Sequence, residues 1–283
     1  MLALTTISVG LKIFWVGYNH SKEKTMKLLT IIRNSWRRWL AVMLAGVCAI
    51  ALSGCNPSQF RAEAARAPQL IVATLGEPGT FNYPLNQSAY SIFGFLYDGL
   101  ITENGLTGKL EPALAESWQI SEDKKRIVFT LRPGLKWSDG EPFTADDVLF
   151  TYNEIYLNPK IPTDTRDILR VGISRALPSV KKLDNRRVEF TVPEPFAPFL
   201  RYTGGLPILP AHALRESVRT VGSDGNPKFI STWGVDTDPK KIIGNGPYRM
   251  VSYATSQRVI LERNPYYWRK DAQGNPQPYI DRI

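Results

Sequence analysis

Hydrophobic and polar positions divide this chain into stretches of helical and of alternating spacing. "SAYSIFGFLYDGLI" places Ile92, Phe93, Leu96 and Leu100 at helical intervals. "DVLFTYNEIYL" does the same with Val148, Leu149, Tyr152, Ile155 and Tyr156. "RIVFTLR" alternates instead, with Ile127, Phe129 and Leu131 on one face, as a half-buried strand does. "SVKKLDNRRVEFTV" reads as a hairpin that turns at Asp184-Asn185 and faces Val188, Phe190 and Val192 inward. A short apolar strand is expected from Leu70 to Leu75, stopping at a Gly/Pro-rich loop. "LEPALAESWQI" gives a loop and then a strand ending near Ile120, followed by a charged turn over Ser121 to Lys125. "EPFAPFLRYTGGLPILPAHAL" predicts short helices punctuated by Pro and Gly, with Gly204-Gly205 at a turn or lobe junction. "IIGNGPYRMVSYATSQRVILERNPYYW" predicts a Gly-rich turn, with Gly246 at a turn or junction, and then two strands in hairpin order. The closing "QPYIDRI" reads as the start of a strand, with Ile280 and Ile283, whose partners are missing.

The stretch "LRPGLKWSDGEPFTADDVLFTYN", Leu131 to Asn153, admits two readings. A Trp among Asp139, Glu141, Asp146 and Asp147 suits a sugar-cleaving site. The same residues also suit two tight turns and a capped helix. Pro133-Gly134 and Ser138-Asp139-Gly140 turn the chain, because Gly takes positive φ and Asp bonds nearby backbone. Thr144 then stands as N-cap with Asp147 at the third helical position, which is a capping box. Asp146 and Asp147 sit where the helix dipole favours anions. The local reading gives Asp139, Asp146 and Asp147 work without invoking catalysis.

Charge is concentrated at the N-terminus. The chain carries a formal net charge of +9, but residues 1–54 hold seven Lys/Arg against one acid, Glu23. The remaining 28 basic and 25 acidic residues leave a body only mildly basic, so charge does not imply nucleic acid. The excess belongs to a leader. "RNSWRRWLAVMLAGVCAIALSGCN" has basic Arg33, Arg37 and Arg38, an apolar run from Trp39 to Leu52, and then Leu52-Ser53-Gly54-Cys55. The run is short for a membrane span and right for a signal peptide. The four residues ending at Cys55 look like a bacterial lipobox, in which the Cys sulfur is lipidated and becomes the mature N-terminus. The expected organisation is a signal peptide at 1–54, with 1–25 a possible upstream extension before Met26. A polar tether follows at 55–68, and a folded domain at 69–283.

Other chemistries find little support. Cys48 falls in the leader and Cys55 takes the lipid, leaving no thiol for a disulfide. The two histidines, His20 and His212, build no metal cluster, and no cofactor is expected. "GNGPY" lacks the Lys and the strand–loop–helix frame of a phosphate loop. No Ser/His/acid set appears in a workable order. A glycosidase pair such as Glu77 with Asp98 has no sequence argument behind it.

The order of elements resembles the extracytoplasmic solute-binding proteins of family 5, which serve ABC importers of oligopeptides, dipeptides, nickel chelates and related solutes. The resemblance is carried by "LEPALAESWQISEDKKRIVFTLRPGLKWSDGEPFTADDVLFTYN", "VEFTVPEPFAPFL", "IIGNGPYRMVSY" and "VILERNPYYW", and it runs from about Leu70 to Ile283. It implies an α/β, periplasmic-binding-protein type II-like fold of two lobes around a cleft that closes on solute. Family members are much longer. The resemblance therefore implies that only the first lobe and an inserted subdomain, about 110–240, are present, as a fragment, a disrupted frame or half of a split receptor. It places the ligand-side loop at "EPGTFN", with Gly79, Thr80, Phe81 and Asn82, and adds Tyr90 as a packing contact. The partners it implies are a peptide or similar small solute, ABC permease subunits, and a membrane through the anchor at Cys55. The alternative is an extracytoplasmic glycan hydrolase using Trp137, Asp139 and Glu141.

Cys55→Ser is expected to leave the precursor uncleaved and unlabelled when cells are fed radioactive fatty acid. Processing and labelling like wild type would remove the lipobox reading.

Overall fold

A computed structural model describes residues 68–74, 76–86 and 90–283. The expected leader, the lipidated Cys55 and all of the expected tether but Pro68 lie outside the described residues. Among those described, no helix is long and apolar enough to cross a membrane.

The first helix, α1 (Tyr90–Leu96), forms where the spacing placed it. Its Ile92, Phe93 and Leu96 are buried, as is Leu100 beyond its end. A small hairpin follows, β1 (Ile101–Glu103) and β2 (Leu110–Pro112). Next come β3 (Ala115–Ile120) and β4 (Arg126–Leu131). Ile127, Phe129 and Leu131 are each at most 2% exposed, so the alternating face of β4 is the inner face. The Pro133-Gly134 turn uses a Gly at φ 70°, and the second turn a Gly140 at φ 94°.

Helix α2 (Ala145–Leu149) opens on the expected cap. The Thr144 side chain accepts from the helix backbone and its own N–H is bonded by the Asp147 carboxylate at 2.9 Å. The same carboxylate reaches the Ala211 N–H at 3.0 Å, so Asp147 satisfies donors at the starts of two helices. The periodicity predicted one α-helix through Tyr156. The chain instead widens to a π-helix over Phe150–Tyr156. Burial of Val148, Tyr152, Ile155 and Tyr156 survives that change. Tyr152 donates to the Thr203 carbonyl and Tyr156 to the Pro207 carbonyl, which satisfies two hydroxyls in an apolar setting.

After α3 (Thr165–Ile168) the predicted hairpin forms as β5 (Ser179–Lys182) and β6 (Arg187–Thr191). Strand order in the four-stranded antiparallel sheet is β3-β4-β6-β5, with Ile127 opposite Phe190 and Phe129 opposite Val188. Phe190 meets Phe129 edge to face at 5.6 Å and Tyr152 at 4.8 Å, joining the sheet to the π-turn helix.

Helices α4 (Phe199–Gly205) and α5 (Ala211–Arg219) complete this part. Gly204-Gly205 is therefore no turn. Both residues lie in α4, and a Cβ on Gly204 would come within 2.6 Å of Ile101. Two strands, β7 (Tyr248–Ala254) and β8 (Arg258–Arg263), form the last hairpin, which packs on α1 through a Phe95–Tyr248 edge contact at 5.8 Å. Gly246 is a close-approach position. Its N–H donates to the Leu96 carbonyl at 2.8 Å, and a Cβ there would lie 2.6 Å from the Leu96 carbonyl carbon.

Two expectations at the ends of the domain are corrected. The strand expected from Leu70 to Leu75 does not form over its described residues, 70–74: the nearest pairing is a bridge from Gln69 to Arg282, and Ile71 is 87% exposed. The closing residues do find partners. Ile283 and Leu261 exchange two backbone bonds at 2.8 and 2.9 Å, and Leu70 donates to the Arg282 carbonyl at 2.9 Å. Residues 281–283 thus run between β8 and the 68–70 segment.

Thr144→Ala is expected to lower stability by about 1 kcal/mol, the usual worth of an N-cap, in urea unfolding. An unchanged midpoint would show that Asp147 alone secures the helix start.

Candidate functional site

The loop after residue 75 is built from the inside. Phe81 is fully buried and meets the Tyr253 ring edge to face at 5.0 Å. Asn82 is 1% exposed, and its Nδ2 donates to the carbonyls of Phe229 at 2.8 Å and Thr232 at 3.3 Å. The Thr80 hydroxyl donates to the Trp233 carbonyl at 3.0 Å and accepts from the Asn82 N–H at 3.1 Å. Gly79 faces outward, with nothing within 4 Å of where a Cβ would stand. Tyr90 is the first residue of α1. Of the sequence-predicted residues, Thr80, Phe81 and Asn82 are brought together, with the side chains of Phe81 and Asn82 inside the core.

Beside this loop lies a groove of about 280 Å³, lined by Thr74, Glu77, Pro78, Ile92, Tyr253 and Gln257. The Glu77 carboxylate accepts from the Ser256 N–H, tying the loop to the tip of the β7–β8 hairpin. This use of Glu77 does not involve Asp98.

Asp98 belongs to a second cluster that the sequence reading missed. Its Oδ2 accepts from the Tyr267 hydroxyl at 3.0 Å and the Trp268 indole N–H at 3.1 Å. Its N–H donates to Asn245 Oδ1 at 2.7 Å, and its carbonyl accepts from the Ile208 N–H at 3.3 Å. The Arg132 guanidinium stands 4.2 Å from the Trp268 ring centre and that of Arg269 5.5 Å. Burial pushes the Asp98 carboxyl above its usual range. The bonds from Trp268 and Tyr267 and the charge of Arg269 oppose that push without cancelling it. Burial likewise raises Tyr267, and the Asp98 charge adds to it. Tyr267 also lines a larger groove, about 530 Å³, with Asn264, Pro265, Pro276 and Gln277. A titratable group displaced from its ordinary value beside a groove is a recurrent mark of function, and also of structural networks. Here Oδ2 takes two donors from one turn and both backbone groups are paired, which is the signature of a structural network.

The Trp137/Asp139/Glu141 cluster has local work. Trp137 is fully buried against Phe143, at 5.2 Å between ring centres, so its face is closed to a sugar. Asp139 Oδ1 accepts from the Glu141 N–H at 3.1 Å and Oδ2 pairs with His212 Nε2 at 2.8 Å. Among the described residues no group of three His, Cys, Asp or Glu is placed to hold a metal.

A profile of the bacterial extracellular solute-binding proteins, family 5 (middle region), matches residues 109–283. The chain belongs to this family. It is 32% identical to the periplasmic alpha-galactoside-binding protein of Rhizobium meliloti over 182 residues, 61% of this chain and 25% of that one. It is 30% identical to the periplasmic oligopeptide-binding protein OppA of Salmonella typhimurium over 185 residues, 61% of this chain and 31% of OppA. Among solved structures, family 5 fold similarity extends to MelB of Agrobacterium fabrum in complex with stachyose, at a TM-score of 0.63 and 27% identity, covering 73% of this chain and 32% of MelB. The described residues therefore carry the periplasmic-binding-protein fold. The chain spans about a third of the length of the curated relatives it matches.

The raised Asp98 carboxyl has a signed consequence. From the usual value of 3.8 up to the raised folded value, the folded state binds more protons than the unfolded one, so stability falls as pH rises. Asp98→Asn keeps an acceptor and removes the charge, so the decline in melting temperature as pH rises above about 4 is expected to flatten. A steeper decline in the variant would show that the ionised carboxylate is stabilising.

Proposed function

We propose that this chain forms the solute-receiving part of an extracytoplasmic receptor that hands a peptide or similar small solute to an ABC importer. The membership of family 5 over residues 109–283 carries this reading. The loop geometry supports it. Gly79 presents backbone outward, while Thr80, Phe81 and Asn82 fix the loop from within, so the contact surface is pre-organised before solute arrives. Tyr90, the first residue of α1, is kept as a packing contact on the family resemblance alone. The membrane attachment is proposed through lipid at Cys55, on the lipobox alone. Binding proceeds without turnover, since nothing favours hydrolysis at Asp139 and Glu141.

A second solute class has a specific observation behind it. The alpha-galactoside-binding relative and the stachyose-bound MelB make an oligosaccharide the main competitor to a peptide.

Equilibrium dialysis of the 283-residue chain against a tetrapeptide library and against stachyose separates these. Saturable retention of peptides, with neither compound cleaved, is the expected result. Retention of stachyose alone assigns the second class, and release of sugar products overturns the binding reading. Asp139→Asn and Glu141→Gln are expected to leave affinity within about twofold, as for surface positions away from a site. A loss of more than about tenfold in a folded variant, well outside that surface range, would return that cluster to the site.

A further inference from the structure

The solute-side loop is held by a turn that lies far from it in sequence. Lys228–Ser231 is a 3-10 turn whose Phe229 is fully buried. The chain then passes through Thr232, whose hydroxyl bonds back to the Lys228 carbonyl at 2.9 Å, and reaches Trp233 at φ 58°. A bulky residue enters this left-handed region only where its surroundings over-determine it. Here the indole is anchored in the core, at 7% exposed. The consequence is a carbonyl aimed at the loop. Trp233 O accepts from the Phe81 N–H at 2.8 Å and from the Thr80 hydroxyl at 3.0 Å. Two more carbonyls of the same turn, of Phe229 and Thr232, accept from Asn82 Nδ2. Three successive loop residues are thus fixed by one short segment.

We infer that the turn Phe229–Trp233 is a positioning element for the solute-side loop, with the left-handed Trp233 as its pivot and the Thr80 hydroxyl as its latch. This rests on the solute-binding reading proposed above. The turn sets where the backbone at Gly79 projects, and it does so by hydrogen bonds within the protein. Neither Trp233 nor Phe229 was marked by the sequence, since their partners lie about 150 positions away.

Amide hydrogen exchange of the 283-residue chain tests the latch directly. Thr80→Val keeps the shape and removes the hydroxyl. Exchange at the Phe81 and Asn82 amides is expected to rise about fivefold, the worth of one net hydrogen bond, while exchange within β4 and β6 stays at wild type. Thr80→Ser restores protection. Trp233→Gly, which removes the anchored indole, loosens the same two amides. Retention of the tetrapeptide library in dialysis is then read on the same variants. It is expected to weaken in Thr80→Val and recover in Thr80→Ser. Unchanged exchange in Thr80→Val, or a Ser variant that fails to recover, overturns the latch. Faster exchange with undiminished retention overturns the positioning role. A library that wild type does not retain overturns the peptide reading, and the exchange data still decide the latch.

Discussion

The carboxylate of Asp98 accepts from both Tyr267 and Trp268, and through those two bonds the end of β8 is fixed to the chain leaving α1. The same residue is held by its backbone to Asn245 on one side and Ile208 on the other. The segments at Ile208, Asn245 and Tyr267-Trp268 therefore meet the chain leaving α1 at one residue. A buried carboxylate is tolerated only when its lone pairs are satisfied. Tyr267 and Trp268 supply those donors from a single turn, and Arg132 packs on the far face of Trp268 with its Nε bonded to the Ala113 carbonyl at 2.6 Å. Gly246 makes the arrangement sterically possible, because any side chain there would strike the Leu96 backbone.

Local patterns were legible and non-local pairings were not. The inner face of β4, the β5–β6 hairpin, the capping box at Thr144 and the β7–β8 hairpin all depend on neighbours within a few residues, and each formed as its spacing implied. Misreadings fell where the deciding partner is remote. Leu70 to Val72 has strand composition, but composition does not supply a neighbouring strand, and only Arg282 offers one bridge. Ile280 to Ile283 was read as unpaired because nothing in its own residues points to Leu261. Gly204 was read as a turn, although its absent side chain serves close packing against Ile101 and Phe129.

The site divides in the same way. Motif resemblance placed a solute-side loop at Glu77 to Asn82, and with it a contact role for Phe81. Aromatic character does not say which way a ring points. The Tyr253 edge and the core around it draw Phe81 inward. Asp139 shows the converse. Its place beside Trp137 suggested catalysis, but its pairing with His212, brought across by α5, could not be read from the 138–141 turn itself.

A binding loop whose larger side chains point inward has a physical logic. Ordering a flexible loop when solute arrives subtracts from affinity, and side chains already committed to the core remove that loss beforehand. In the proposed reading the outward surface is backbone at Gly79, which offers hydrogen-bonding shape more than side-chain identity. Backbone recognition of that kind suits a family whose relatives include proteins named for oligopeptides and for alpha-galactosides on one shared framework. Both classes are chains of repeated polar groups, and a rigid polar ledge serves either. In the proposed reading, selection between them falls to residues that meet the solute's side groups, while the Gly79–Asn82 loop, held by the turn beneath it, is proposed for the part of binding common to both.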